Sequence, residues 1–93
     1  MATATAVHVP SFRSYGDYSS SNYGVNSMLF VDTKGREFYF SYKTLVAFRS
    51  LKTGLVCRKN EWGVTTGKHL NWIQPDHKAR VSSEEFDQLL ETI

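Results

Sequence analysis

The sequence has a single cysteine, Cys57, so it has no means of forming an internal disulfide bond. A chain without disulfides is typical of a reducing compartment. The sequence also lacks an apolar run of the roughly 18 residues that a membrane-spanning helix requires. Its first residues have no basic flank ahead of an apolar segment, which a secretory signal would have. These absences predict a soluble intracellular protein with no membrane partner.

The sequence also has little excess of positive over negative charge. Eleven Lys and Arg residues stand against nine Asp and Glu residues, which gives a formal net charge of +2. Proteins that bind nucleic acid mainly through their charge have a stronger basic excess. The charge therefore permits a nucleic-acid partner without indicating one.

What the sequence does contain is aromatic residues: six Phe, five Tyr and two Trp in 93 residues. A chain of this length forms one domain and buries only about 60 to 65% of the surface that its unfolded form exposes. The densest aromatic and aliphatic run is at residues 37–49, where apolar side chains alternate with a period of two. That period is typical of β-strands. It predicts one sheet face with Phe38, Phe40, Tyr42, Val46 and Phe48.

Turn signals divide the chain into strands. Residues 32–35 (Asp-Thr-Lys-Gly) and 51–54 (Leu-Lys-Thr-Gly) each end in a glycine, which can adopt the left-handed backbone conformation that tight turns need. The run at residues 37–49 is long for one strand, so we expect the chain to bend or turn at residues 42–44. The prediction is an antiparallel β-meander of three to five strands within a single domain, residues 15–93. A flexible segment at residues 1–14, with enough apolar residues for a loose edge strand, precedes it.

The clearest helix signal lies at the C-terminus. Ser82 and Glu85 form a capping box, and Val81 and Phe86 occupy the two positions of a hydrophobic staple. An apolar stripe then follows one side of residues 82–93. We expect this helix to pack on the sheet and give a two-layer α+β domain. Residues 60–74 fit neither period and are predicted to form a structured loop with one helical turn near residues 68–72.

Catalytic and metal-binding arrangements fail on spacing. Residues 63–69 resemble a phosphate-binding loop, but three residues separate the glycines instead of four, and His69 replaces the Ser or Thr that holds magnesium. His69, His77 and Cys57 lack zinc-finger spacing. Cys57 as a nucleophile with His69 as its base is open on paper, but a lone cysteine in a predicted strand is usually a core residue. We predict no catalytic, metal or cofactor site, and a protein that is not an enzyme.

The aromatic residues exceed what a small core needs, and Trp, Tyr and Arg are enriched where protein interfaces gain most of their energy. We therefore predict a protein-binding surface with these candidate residues: Tyr15, Tyr18, Tyr23, Trp62, Lys68, His69 and Trp72. The alternative is a small protein that binds single-stranded DNA or RNA, with bases stacked on the rings of a sheet face and phosphates neutralised by its cations. The candidate residues for this alternative are Tyr39, Tyr42, Lys43, Arg49 and Arg58.

Three stretches together resemble a known family: residues 15–24, residues 38–49 and residues 62–73, with Thr-Thr-Gly-Lys-His-Leu-Asn at residues 65–71 as the most specific part. The family consists of small proteins without an assigned activity, mainly from tailed bacteriophages and prophages, and the resemblance covers about residues 15–90. It implies an accessory protein in the cytoplasm of an infected bacterial host. We therefore predict a non-enzymatic phage accessory protein that binds a host or phage protein, for host takeover or against a defence system.

Overall fold

The computed structural model describes residues 9–16 and 26–93, which form a five-stranded antiparallel sheet with the strands in chain order. The strands are β1 (Ser11–Ser14), β2 (Ser27–Val31), β3 (Glu37–Ser41), β4 (Thr44–Ser50) and β5 (Gly54–Cys57). Two helices follow, α1 (Val64–Ile73) and α2 (Ser83–Leu90), with a short 3-10 turn between them at His77–Ala79. The predicted α+β class, an antiparallel meander with a helix at the C-terminus, is confirmed.

Most of the segment predicted to be flexible, residues 1–14, lies outside the described residues, and its last four residues form β1. None of the helices described has the length and the apolar content needed to cross a membrane.

The turns form where the sequence predicts them. Between β2 and β3, Asp32 Oδ1 accepts hydrogen bonds from the backbone N–H groups of Lys34 and Arg36, both at 2.9 Å. Gly35 in this turn has a φ of 79°, and Gly54 at the start of β5 has a φ of 69°. Glycine adopts this left-handed backbone without the steric penalty that a Cβ atom introduces.

The long aromatic run turns at residues 42–43, between β3 and β4. Tyr42 has a φ of 57°, a conformation that costs a residue with a Cβ atom roughly 1–2 kcal/mol. Its backbone N–H donates to the Asn26 carbonyl oxygen at 2.8 Å. The register of β3 against β4 is irregular, so Val46 and Phe48, which we expected on one face, belong to different core clusters.

The sheet has a hydrophobic cluster on each face, because alternate residues along a strand point to opposite sides. On one face, the sheet residues Leu29, Tyr39, Ala47 and Cys57 pack with Leu70 and Ile73 of α1. The other face holds the residues that pack with α2: Phe38, Phe48, Val56 and Phe86. The two helices therefore cover opposite faces. The predicted two-layer arrangement is replaced by a sheet with one helix on either side.

Helix α1 occupies the stretch that we predicted to be a loop with a single helical turn, so that prediction was wrong. Its buried residues are Thr66, His69, Leu70 and Ile73. They have the i, i+3, i+4, i+7 spacing of a helix that packs on one side. Two of the four are polar, and a search for apolar periodicity therefore passes over them.

Helix α2 begins as its sequence predicts. The Ser82 side chain accepts a hydrogen bond from the backbone N–H of Glu85 at 3.2 Å, which satisfies one of the free donors at the helix start. Phe86 is buried, and its ring meets the Phe48 ring edge-on with 5.1 Å between centroids. The β1 end of the same sheet face is open to solvent, where Phe12 is 62% exposed.

The segment that follows β5 lies beside the segment that precedes α2. Arg58 and Val81 form a parallel bridge, the Lys59 backbone N–H donates to the Val81 carbonyl oxygen at 2.9 Å, and the Val81 N–H donates to the Cys57 carbonyl oxygen at 2.8 Å. The Cys57 carbonyl at the end of β5 and the Lys59 N–H that follows it are thereby satisfied, as buried backbone groups must be.

Candidate binding surface

Helix α1 is fixed to the sheet by a buried polar contact. Ser41 Oγ, at the end of β3, lies 2.9 Å from Thr66 Oγ1 and 2.7 Å from His69 Nδ1. All three side chains are buried. Because buried polar groups need hydrogen-bond partners, the Ser41 hydroxyl contributes to the position of α1 and to the orientation of the His69 ring.

A row of rings runs from the β3–β4 turn across the face that α1 covers. The ring centroids are 6.2 Å apart between Tyr42 and His69, 5.9 Å between His69 and Tyr15, and 5.4 Å between Tyr15 and Trp72. Rings at such distances attract each other. The inner two, Tyr15 and His69, are buried, whereas Tyr42 is 51% exposed and Trp72 is 49% exposed.

Tyr15 provides a rigid support for Trp72. Its hydroxyl donates to the Phe40 carbonyl oxygen at 3.0 Å, and its own carbonyl oxygen accepts a hydrogen bond from the Ser27 hydroxyl at 2.8 Å. Its ring also meets the Tyr39 ring edge-on with 5.4 Å between centroids. Trp72 therefore lies against a ring that is held at both ends, which limits the orientations open to the Trp72 ring.

Two lysines accompany the exposed rings. Lys43 follows Tyr42 in the turn, and Lys68 lies four residues before Trp72 on α1; both lysines are exposed. Residues four apart on a helix share one side of it. We call Tyr42, Lys43, Lys68 and Trp72 the Trp72 surface. It combines two half-exposed rings with two positive charges over a buried aromatic base.

The seven residues predicted to bind a protein partner are divided by the structure. Lys68 and Trp72 belong to the Trp72 surface, and the buried Tyr15 and His69 support it from below. Trp62 precedes α1, about 15 Å of helix away from Trp72. The remaining two, Tyr18 and Tyr23, lie outside the described residues.

Trp62 belongs to a different part of the molecule. The Arg58 guanidinium carbon lies 4.8 Å from the centre of the Trp62 ring and 5.2 Å from the centre of the Phe86 ring. Arg58 also donates to Ser83 Oγ at 2.7 Å and forms an ion pair with Glu61 at 3.5 Å. Trp62 is 40% exposed, and its ring lies against the Arg58 guanidinium, which bonds to Ser83 at the start of α2.

The residues predicted for nucleic-acid binding are likewise not on one face. Tyr39 is buried under α1 and donates its hydroxyl hydrogen to Glu37 at 2.7 Å. Burial, followed by the interaction with Glu37, raises the pKa of Tyr39 to about 12. Arg49 contacts Glu37 at 3.3 Å. Arg58 is engaged between α2 and β5, so only Tyr42 and Lys43 of this set lie side by side in solvent.

The sequence reasoning missed a row of aromatic rings at the β1 end of the sheet, of which Phe12 is exposed and the other two are half-buried. Phe12, Phe30 and Phe38 are paired in register across β1, β2 and β3. The ring centroids are 5.4 Å apart for Phe12 and Phe30, and 6.3 Å apart for Phe30 and Phe38. The alternation of residues 37–49 predicted the face; Phe38 packs with the α2 cluster, Phe30 is half-buried, and Phe12 at the end of the row is exposed.

Cys57 is a core residue, as its position in a strand predicts. Burial raises the pKa of the Cys57 thiol to about 11, although the nearby Arg80 charge acts to lower it. The thiol is therefore protonated at neutral pH. Within residues 9–16 and 26–93, no group of three or more His, Cys, Asp or Glu side chains is gathered in one place.

The model of DUF8033, a family of unknown function, matches residues 11–88. The chain belongs to this family. Comparisons with curated proteins and with solved structures gave no match.

The DUF8033 match begins at the first residue of β1 and ends within α2. It therefore includes every strand, α1 and all four residues of the Trp72 surface. The match confirms that the chain belongs to a family of unknown function, whereas the phage origin implied by the resemblance stays a prediction.

Proposed function

We propose that this DUF8033 member is a non-enzymatic binding protein that captures a protein partner on the Trp72 surface. The observation that supports this most directly is the half-exposed Trp72 ring held against the buried Tyr15 ring at 5.4 Å. Energetic hot spots in protein interfaces are enriched in Trp and Tyr. A preorganised ring loses little conformational freedom when a partner covers it.

Charge further specifies the partner. Lys43 and Lys68 are both exposed beside the two rings of the surface. Complementary charge across an interface guides association and selects partners. The partner that fits presents an apolar pocket for the Trp72 ring, with Asp or Glu side chains at its margin.

We also propose that the protein acts as a tailed-phage or prophage accessory protein in the cytoplasm of an infected bacterium, where it binds a host or phage protein. The support is the resemblance carried by residues 15–24, 38–49 and 62–73. Residues 65–71, the most specific part of that resemblance, lie in α1, which holds Lys68 of the Trp72 surface.

The test compares two tryptophan substitutions of equal size. The tagged protein, its Trp72→Ala variant and its Trp62→Ala variant are incubated with lysate from a bacterial host, and captured proteins are quantified by mass spectrometry. A protein retained by the parent is then purified and titrated against all three. We expect Trp72→Ala to weaken binding about 30-fold or more, as loss of a hot-spot residue does, and Trp62→Ala to weaken it far less.

Circular dichroism establishes that both variants fold. Equal affinities for the parent and a folded Trp72→Ala variant would exclude the Trp72 surface. Greater loss with Trp62→Ala would move the interface to the surface around Arg58. Lys68→Gln is expected to reduce the association rate more at low salt than at high salt, because steering by exposed charge is screened by ions.

Binding of single-stranded nucleic acid is the second candidate, supported by the adjacent and exposed Tyr42 and Lys43 and by the exposed Phe12 ring on β1. Exposed rings are platforms on which bases stack. Affinity for a single-stranded oligonucleotide that falls steeply between about 50 and 200 mM salt would favour this function. No measurable binding at the lower salt concentration would exclude it.

A further inference from the structure

A cleft of about 390 Å³ opens beside α1 at Gly67 and Asn71, between the helix, the segment that follows β5 and the segment around the 3-10 turn. Its volume is within the range of small-molecule sites. The lining residues are Lys59, Asn60, Gly67, Asn71, His77 and Arg80. Three of these six residues are of basic types, two are amides, and none of the six is acidic.

Arg80 is the buried residue among those that line this cleft. It is only 6% exposed. Its Nε donates to the Gln74 carbonyl oxygen at 3.1 Å, and its Nη2 donates to the same oxygen at 2.9 Å and to Asn71 Oδ1 at 2.8 Å. These acceptors are neutral, and they fix the plane of the guanidinium group. Its other terminal nitrogen, Nη1, makes no hydrogen bond to any residue that the structure describes.

Within the part of the chain that the structure describes, no carboxylate forms an ion pair with Arg80. The ion pairs found within residues 9–16 and 26–93 are those of Arg36, Arg49 and Arg58. Cys57, whose thiol interacts with Arg80, is neutral at pH 7 because burial raises its pKa to about 11. A buried charge is strongly unfavourable unless it is paired. The carbonyl groups at the C-terminal end of α1 supply part of the compensation, and an anion in the cleft would supply the rest.

Further donors surround the same space. Asn71 Oδ1 accepts from Arg80 Nη2 and lies 3.2 Å from His77 Nε2. With its oxygen occupied, the Asn71 amide can offer its N–H₂ group. Lys59 is exposed at the opening and takes part in none of the ion pairs described above. Arginine, lysine and amide donors are the groups with which proteins bind phosphate oxygens.

Gly67 keeps this side of α1 close to the segment after β5. A Cβ atom at residue 67 would lie 3.0 Å from Asn60 Nδ2, tighter than ordinary packing allows. Asn60 is itself fixed, because its Oδ1 accepts from the Trp62 backbone N–H at 2.9 Å and its Nδ2 donates to the Gly63 carbonyl oxygen at 3.3 Å. The cleft walls are therefore formed before a ligand arrives.

We propose that this cleft binds the phosphate group of a phosphorylated small molecule of about mononucleotide size, with Arg80 and Lys59 as the charged contacts and Asn71 as a neutral donor. Several donors around one fixed guanidinium suit the oxygens of a phosphate dianion. The volume leaves room beyond the phosphate for a sugar or base. This site is independent of the proposed partner-binding function, since it shares none of the four residues of the Trp72 surface.

The test titrates the full chain with adenosine 5′-monophosphate, inorganic phosphate and adenosine, using calorimetry and the amide NMR signals of Lys59 and Gly67. Lys59→Gln removes one charge from the opening, and Lys34→Gln removes one from the β2–β3 turn as the matched control. We expect saturable binding of the monophosphate, with these amide signals shifted. Lys59→Gln should weaken it about fivefold, as loss of a partly exposed ion pair does, and Lys34→Gln should leave it unchanged.

Arg80→Lys keeps the charge but loses the planar fork, and should weaken binding further. If that variant fails to fold, Lys59→Gln decides. Equal binding of adenosine and the monophosphate, equal losses in the two lysine variants, or no binding at millimolar concentration would each overturn the proposal. Inorganic phosphate bound as tightly as the monophosphate would overturn the mononucleotide size of the ligand and would show that the cleft is a site for free phosphate. Tighter binding of the monophosphate supports a phosphorylated nucleoside.

Discussion

Replacement of Ser41 by Ala tests the contact that positions α1. The substitution removes one hydroxyl and leaves Thr66 Oγ1 and His69 Nδ1 without the partner that they have at 2.9 and 2.7 Å. A buried polar group that loses its partner is destabilised by roughly 1–3 kcal/mol. We therefore expect the free energy of unfolding to fall by about 2 kcal/mol. In a domain of this size that corresponds to a decrease in Tm of about 10 °C.

The measurement is thermal unfolding followed by circular dichroism, with urea unfolding for the free energy. Ser14→Ala is the matched control, because Ser14 lies in β1, is exposed, and has only a weak 3.9 Å contact with Met28 Sδ. We expect that control to stay within about 0.5 kcal/mol of the parent, as surface substitutions usually do. If Ser41→Ala and Ser14→Ala unfold at the same temperature, the hydroxyl does not hold α1 in place.

Two further predictions concern titratable groups. Burial acts to raise the pKa of Asp32, but hydrogen bonds from Arg36 and Lys34 and the Arg36 charge outweigh it and lower that pKa below its usual 3.8. The stabilisation by this carboxylate is present above the unfolded-state pKa and disappears as the pH falls through the folded-state value. Asp32→Asn should therefore be less stable than the parent at pH 7 in urea unfolding, and the difference in stability should shrink at about pH 3. An equal difference at both pH values would contradict this. The exposed Asp87→Asn is the control. For Cys57, the pKa of about 11 in place of 9.0 leaves about 100-fold less thiolate at pH 8. A colorimetric thiol reagent should react at least that much more slowly with the native protein than with the urea-unfolded protein, and equal rates would show that the thiol is accessible.

Local chemistry made most of the sheet and one helix predictable. The turn at residues 42–43 follows from a run too long for one strand, and α2 follows from Ser82 and Glu85 three residues apart. Each of these signals is contained in a few neighbouring residues. The local structure that they predict can therefore be inferred without knowing the tertiary contacts of the rest of the chain.

Helix α1 was not predictable by the same means, because its inward positions include Thr66 and His69. Their burial becomes favourable only when Ser41, 25 residues before Thr66, supplies the hydrogen-bond partner. Gly67 also lowers helix propensity, and its purpose is visible only when Asn60 is found beside it. The spacing of residues 66, 69, 70 and 73 was the signal that could have revealed this helix.

The candidate sites likewise contain residues that local sequence patterns predict and groupings that only the fold reveals. Trp72 and Lys68 were predicted because aromatic and basic residues in an irregular segment suggest an interface. They lie on one surface with Tyr42 because of the row of rings through Tyr15 and His69, which joins residues up to 57 positions apart in sequence. The cleft around Arg80 draws on the segment after β5, on α1 and on the residues around the 3-10 turn, so no local pattern marks it.

The backbone of Tyr42 has a consequence for any attempt to improve the protein. Its φ of 57° is one that glycine would adopt freely, yet the chain has at this point a large ring that is left half in water. Variants selected only for thermal resistance will therefore tend to discard that ring. Selection for capture of a partner will tend to keep it, so the two screens would lead this small domain to different sequences.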